Sequence, residues 1–152
     1  MVDKILNTKE LEDVIWMKFH DKFPNESLLL FKFEPCQEKS PSGIYVFSKW
    51  DKYHIMEIDE HGILHDCLET DDFDDLLYNI LDIQFFNMYY RVPNTKTKFW
   101  MIKRMFINCR LARYIRCKRM RKGSENRREQ QYLKWYSMFG DYYLKRWKNE
   151  SK

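Results

Sequence analysis

Hydrophobic residues near the start of the chain recur at helical spacing. Leu11, Val14, Ile15 and Phe19 fall on one face of a helix. Asn7 precedes them with Glu10 three residues further on, the arrangement of a capping box. We therefore predict a first helix that begins after Asn7 and ends at Phe23-Pro24-Asn25.

The next part of the chain changes to short strand-like runs. We predict three strands, with a possible fourth over 63–68, and the predicted three are Leu28–Glu34, Ile44–Trp50 and Tyr53–Ile58. Turn-forming residues separate them: Ser40-Pro41-Ser42-Gly43, Trp50-Asp51-Lys52 and Asp59-Glu60-His61-Gly62. Short connections favour antiparallel neighbours, so the pattern predicts an antiparallel meander of three or four strands.

Helical periodicity returns after residue 69. Thr70 is the predicted cap of a second helix that runs to about Tyr90. A third helix is predicted over 96–122, with apolar residues on two sides that include Leu111 and Ile115. A fourth begins after Ser124, with a possible interruption at Gly140-Asp141.

The predicted fold class is α+β, with one helix before the meander and about three after it. At 152 residues the chain fits one domain, 1–152, in which the first helix and the sheet occupy about 1–68 and the helical part about 70–150.

Composition and motifs argue against several classes of protein. No apolar run approaches the ~20 residues of a membrane span, and the start of the chain does not look like a secretory signal, so we expect a cytoplasmic protein. The four cysteines form no Cys-x-x-Cys pair, and no phosphate-binding glycine loop or nucleophile motif occurs. His61 and His65 have a spacing that does not suit a metal site on a strand or turn. We expect no enzyme activity, no metal and no cofactor.

Charge is divided unevenly along the chain. Residues 1–100 carry 11 Lys+Arg against 19 Asp+Glu, a net of −8, whereas residues 101–152 carry 16 against 4, a net of +12. Nine acids and no Lys or Arg lie between Glu57 and Asp75. Such a stretch is either a solvated surface or a surface for a basic protein, to which it would speed association.

The predicted partner-binding residues are the acids of this stretch: Glu57, Asp59, Glu60, Asp66, Glu69, Asp71 and Asp72. The alternative is a basic surface on the third predicted helix that binds nucleic acid, formed by Arg110, Arg113, Lys118 and Arg121. Those basic residues could instead balance the acidic half of the chain.

Part of the chain resembles a known family. Tyr53-His54-Ile55, Glu60-x-Gly62 and Thr70-Asp71-Asp72 followed by Leu76-Leu77-Tyr78 are similar to the core of the Imm63-type immunity proteins of bacterial polymorphic toxin systems, including those of contact-dependent growth inhibition. Arg127-Arg128 resembles the paired arginines before that family's last helix. The resemblance covers 44–90 and, more loosely, 124–150. It implies a non-enzymatic antitoxin that blocks a cognate toxin domain, such as a nuclease, in the cytosol.

Overall fold

A computed structural model describes residues 5–28, 30–90 and 125–151. The chain forms two compact units, Met1–Leu81 and Asp82–Lys152. The helices and strands are α1 (Thr8–Lys22), β1 (Phe31–Lys32), β2 (Gly43–Lys49), β3 (Lys52–Ile58), β4 (Leu64–Thr70), α2 (Phe73–Tyr90), α3 (Glu125–Phe139) and α4 (Asp141–Glu150). Over the described residues this is the predicted α+β class, with one helix before the sheet and three after it. The third predicted helix, over 96–122, lies outside the described residues, as does the predicted cap at Ser124.

The capping box at the start of α1 is confirmed. The Asn7 side chain accepts hydrogen bonds from the backbone amides of Lys9 (3.1 Å) and Glu10 (3.0 Å), and the Asn7 amide donates to the Glu10 carboxylate at 3.0 Å. These bonds satisfy amides that no helical carbonyl can reach. The face with Leu11 and Phe19 is buried, as the periodicity predicted.

The four strands lie in the order of the sequence, β1-β2-β3-β4, and two of the three pairings are antiparallel. The first pairing differs from the predicted meander, because β1 runs parallel to β2. Residues 33–42 are long enough to carry the chain back across the sheet before β2 begins, whereas a tight turn would have forced an antiparallel pair. The predicted strand Leu28–Glu34 is reduced to two residues with regular pairing, Phe31–Lys32.

The segment between β1 and β2 covers part of one sheet face. Tyr45, Phe47 and Ile58 form a buried cluster there, and Cys36 of the connecting segment packs against it. The Tyr45 hydroxyl donates to the carbonyl of Pro41 at 2.5 Å, which ties the segment to the sheet. Helix α1 contacts β2 through a hydrogen bond of 3.1 Å from the Ser48 amide to the Thr8 hydroxyl.

The cap of α2 is Asp72 rather than the predicted Thr70. The Asp72 carbonyl accepts from the Leu76 amide (3.1 Å), and its carboxylate accepts from the Asp74 amide (2.8 Å). Thr70 is still the last residue of β4, where its hydroxyl accepts from the Asp72 amide at 3.1 Å. Both residue types cap helices well, so the sequence alone does not distinguish them.

The second unit is organised around aromatic side chains. Phe85 of α2 is fully buried, with ring centroids of α3 at 5.0 Å (Tyr136) and 5.2 Å (Trp135). Trp147 of α4 stacks on Tyr136 at 5.8 Å. The predicted interruption at Gly140-Asp141 is confirmed: Gly140 has φ +115°, a conformation that favours glycine, and α4 begins at the next residue. None of the helices in the described part of the chain is long and apolar enough to cross a membrane.

Candidate protein-binding site

The acids between Glu57 and Asp75 do not form one patch, because β4 runs between two groups of them. The turn group, Asp59 and Glu60, precedes β4, and the end group, Glu69, Asp71, Asp72, Asp74 and Asp75, lies at its other end. A seven-residue strand extends about 20 Å. Asp66 lies between the two groups, so the surface acids follow one edge of the sheet.

Glu57 is not part of this surface. It lies in the middle of β3, opposite Ile44 on one side and His65 on the other, and is only 5% exposed. A partner could not reach its carboxylate. This burial could not be predicted from residue type, since Glu is rarely buried.

Asp59 has a structural task in the turn before β4. One carboxylate oxygen accepts hydrogen bonds from the amides of His61 and Ile63, both at 2.9 Å. The other lies 3.0 Å from Nε2 of His65. The hydrogen bond with His65, followed by that with the Ile63 amide, holds the pKa of the Asp59 carboxyl below its ordinary value.

This arrangement predicts how the turn responds to acid. Because the pKa of Asp59 is lowered by folding, its contribution to stability is present above about pH 4 and is lost as pH falls through the folded-state pKa. We expect an NMR titration of the Asp59 carboxyl carbon to give a midpoint below 3.8. His65→Ala should move the midpoint up towards 3.8, because it removes the largest cause of the shift. An unchanged midpoint in that variant would contradict the assignment.

Glu69 is paired with a base from the neighbouring strand. Its carboxylate forms an ion pair and hydrogen bond with the Lys52 ammonium, and this contact lowers the pKa of Glu69 and raises that of Lys52. Asp71 adds to the rise in the pKa of Lys52. Both side chains of the pair are about half exposed, which keeps its contribution to stability small. The stretch 57–75 contains no Lys or Arg, yet Lys52 from the neighbouring strand still pairs with one of its acids.

Among the described residues, acidic groups nevertheless outnumber basic ones where β4 meets α2. Asp71, Asp72 and Asp74 are all exposed there. Three bases also lie at this end: Lys52, which is paired with Glu69, Lys49, which lies over the Trp50 ring, and Lys18, whose ammonium is 5.9 Å from the ring centroid of Phe73. The end group thus presents a negative surface to solvent.

Trp50 lies at the same end of the sheet and was not predicted as a functional residue. It forms the two-residue turn between β2 and β3 with Asp51, and both have positive φ, 52° and 54°. Its side chain is 78% exposed, and the Lys49 ammonium is 3.9 Å from its ring centroid. Such turns usually contain Asn and Gly. The sequence signal that could have identified Trp50 as a functional residue is the presence of a Trp at a turn position between two strand-like runs.

The turn end of β4 is more apolar at its surface. Ile63 and Leu64 are 55% and 42% exposed. The edge therefore combines carboxylates at both ends with two accessible aliphatic side chains.

Other candidate sites in the described residues are weaker. No group of three or more His, Cys, Asp or Glu side chains in those residues could hold a metal ion. In the second unit an open cleft of about 570 Å³ is lined by both signs of charge, Glu129 with Lys145 and Lys148. The alternative basic surface, Arg110, Arg113, Lys118 and Arg121, lies outside the described residues.

Comparison with known proteins finds no matching family, no matching curated protein and no matching solved structure. The resemblance to Imm63-type immunity proteins therefore stays a prediction based on the residues quoted for it.

Proposed function

We propose that the chain is a non-enzymatic immunity protein that binds and neutralises a basic bacterial toxin domain through the acidic end of its sheet. The observation that carries the proposal is the exposed Trp50, which lies at the same end of the sheet as the exposed carboxylates of the end group. The resemblance of residues 44–90 to Imm63-type proteins supplies the toxin as the class of partner.

The charge of the site favours a basic protein and disfavours a polyanion. Carboxylates attract a positively charged surface over several ångströms and raise the rate of encounter, whereas they repel the phosphates of nucleic acid. A nuclease is a suitable target, because its cleft must attract phosphate and is therefore positive.

Trp50 provides the apolar part of the contact, which charged groups cannot supply. Large aromatic side chains at interface centres contribute much of the binding energy, and Trp is among the most enriched. A bulky residue with positive φ is energetically unfavourable, by about 1 kcal/mol or more, and the exposed ring gains little in folding beyond its contact with the Lys49 ammonium. Binding is a physical reason for a Trp at this position.

Purification of the tagged protein from its native host tests the proposal. We expect it to retain a protein with a basic domain, identified by mass spectrometry, and we expect expression of that domain alone to arrest bacterial growth. Co-expression of the parent chain should restore growth, whereas Trp50→Gly should restore it poorly. If the retained protein is not toxic, or if the parent chain gives no protection, the proposal is wrong.

A second candidate function is nucleic-acid binding by the basic part of the chain. The net charge of +12 in residues 101–152 favours it. Replacing Arg110, Arg113, Lys118 and Arg121 with Gln should then weaken binding to duplex DNA and reduce its dependence on salt, because each lost phosphate contact lowers the salt slope. The same variant should leave toxin binding unchanged if the acidic end is the contact.

A further inference from the structure

β4 is one of the two edge strands of the sheet, and its surface differs from that of the inner strands. Most side chains of β2 and β3 are buried, whereas every residue of β4 is exposed or half-buried. Within the described parts of the chain, no backbone group hydrogen-bonds to the outer side of this strand. An open strand edge of this kind is a template for another strand.

The hydrogen bonds of the turn show which backbone groups point outwards. The Asp59 amide donates to the carbonyl of Ile63 at 3.1 Å. Because bonded and non-bonded pairs alternate in an antiparallel ladder, His65 is bonded to Glu57, and the pairs formed by Leu64 and Asp66 are non-bonded. The N–H and C=O groups of Leu64 and Asp66 therefore face the open edge.

A β-bulge aligns two acids of β4 on one face. Asp66 is opposite Met56 and Glu69 is opposite His54, although their separation of three residues would place them on opposite faces of a regular strand. The register shift between Ile55 and Met56 adds one residue to β4, which restores the common face. Leu64, opposite Ile58, lies on that face as well.

We propose that the partner adds a basic extended segment to β4 as a fifth strand, a mode of binding that rests on the proposed function. Main-chain hydrogen bonds to Leu64 and Asp66 would hold the segment. Arg or Lys at alternate positions of the segment would lie beside Asp66 and Glu69, since cross-strand neighbours share a face.

The same acids argue against a second copy of this chain as the occupant. Pairing two β4 strands edge to edge would bring carboxylates close to carboxylates, and like charges on adjacent strands destabilise the pair. Acidic residues on an edge strand thus discourage self-association while they favour a basic strand.

A blocked peptide of alternating arginine and valine is a suitable probe, with a matched peptide of alternating glutamate and valine as control. Amide hydrogen exchange of the parent protein is measured by NMR with and without saturating peptide. The basic peptide should slow exchange of the Leu64 and Asp66 amides at least about tenfold, because an added strand gives each amide an acceptor. The His65 amide, which already faces β3, should change much less, and the acidic peptide should protect none of them.

Two variants extend the test. Asp66→Pro removes the outward N–H, which an edge strand tolerates, and should weaken binding of the basic peptide more than Asp66→Asn, which keeps the N–H and removes the charge. If Asp66→Pro does not fold, amide hydrogen exchange in the parent protein is sufficient to test strand addition.

The outcomes separate this inference from the function on which it rests. Binding of the basic peptide without protection of Leu64 and Asp66, equal protection by both peptides, or no binding of either peptide overturns strand addition. Those results do not bear on the immunity proposal, which the toxin-protection assay tests. Loss of toxin protection in that assay together with protected β4 amides would overturn the immunity proposal alone.

Discussion

Phe85→Ala is expected to lower the free energy of unfolding by about 3–5 kcal/mol, because it removes a fully buried ring and leaves a cavity. Four aromatic side chains of α3 surround that ring with centroid distances of 5.0–6.5 Å, and they come from Tyr132, Trp135, Tyr136 and Phe139. They cannot all move in to fill the space, since each also packs against other rings. Chemical denaturation followed by circular dichroism measures the loss.

Tyr142→Ala is the matched control for this prediction. Tyr142 is an aromatic residue of α4 that is 46% exposed. Its truncation should change the free energy of unfolding by no more than about 0.5–1 kcal/mol, as for most surface residues. Equal effects of the two variants would show that Phe85 is not at the centre of this core.

Trp50→Gly should weaken binding to the captured toxin domain by at least about 2 kcal/mol, which is roughly 30-fold in Kd. Most of the loss should come from faster dissociation, since a buried anchor slows the escape of a partner more than it speeds the encounter. Glycine at this position removes the ring and accepts the positive φ of 52° without strain. The variant should therefore be at least as stable as the parent. Surface plasmon resonance and thermal melting give both quantities.

Met17→Ala provides the control for Trp50. Met17 lies on α1 and is 66% exposed, so it tests whether any large exposed apolar side chain affects binding. We expect no change in Kd. If Trp50→Gly also leaves Kd unchanged, Trp50 is not an anchor, and its exposure has no functional explanation.

Local patterns predicted those parts of the fold that local interactions determine. The capping box at Asn7 and Glu10 and the helix break at Gly140 each involve residues close in sequence, and both were confirmed. The predicted direction of β1 was wrong, because that direction depends on the path of residues 33–42, which short-range turn rules do not determine. Thr70 was chosen over Asp72 as a cap because both fit the preferences of that position.

The candidate site was harder to predict, since its properties depend on contacts between strands. Asp59 and Glu69 are acids in a stretch without Lys or Arg, yet both have partners in the structure. The Asp59 carboxylate contacts its own turn and His65, and the Glu69 carboxylate pairs with the ammonium of Lys52. Burial of Glu57 likewise arises only when β2 and β4 lie on either side of β3. Trp50 was recognised as part of a turn, but its exposure required the three-dimensional arrangement.

Asp59 should be kept in any variant that tests charge, because its carboxylate organises the turn before β4. A suitable triple variant is Asp66→Asn, Asp71→Asn and Asp74→Asn, since all three side chains are exposed on β4 or in the end group. The matched control, Asp13→Asn, Glu34→Gln and Glu38→Gln, removes the same number of charges from exposed positions outside β4 and its flanking turns.

The rate of association with the captured toxin domain, measured by stopped flow over a range of salt concentrations, tests the central claim most directly. We expect the triple variant at the acidic edge to associate about tenfold or more slowly than the parent at low salt, with a flatter dependence on salt. The control variant should stay close to the parental rate. Parental rates in the edge variant across all salt concentrations, or equal slowing of both variants, would contradict the claim that this edge receives a basic partner.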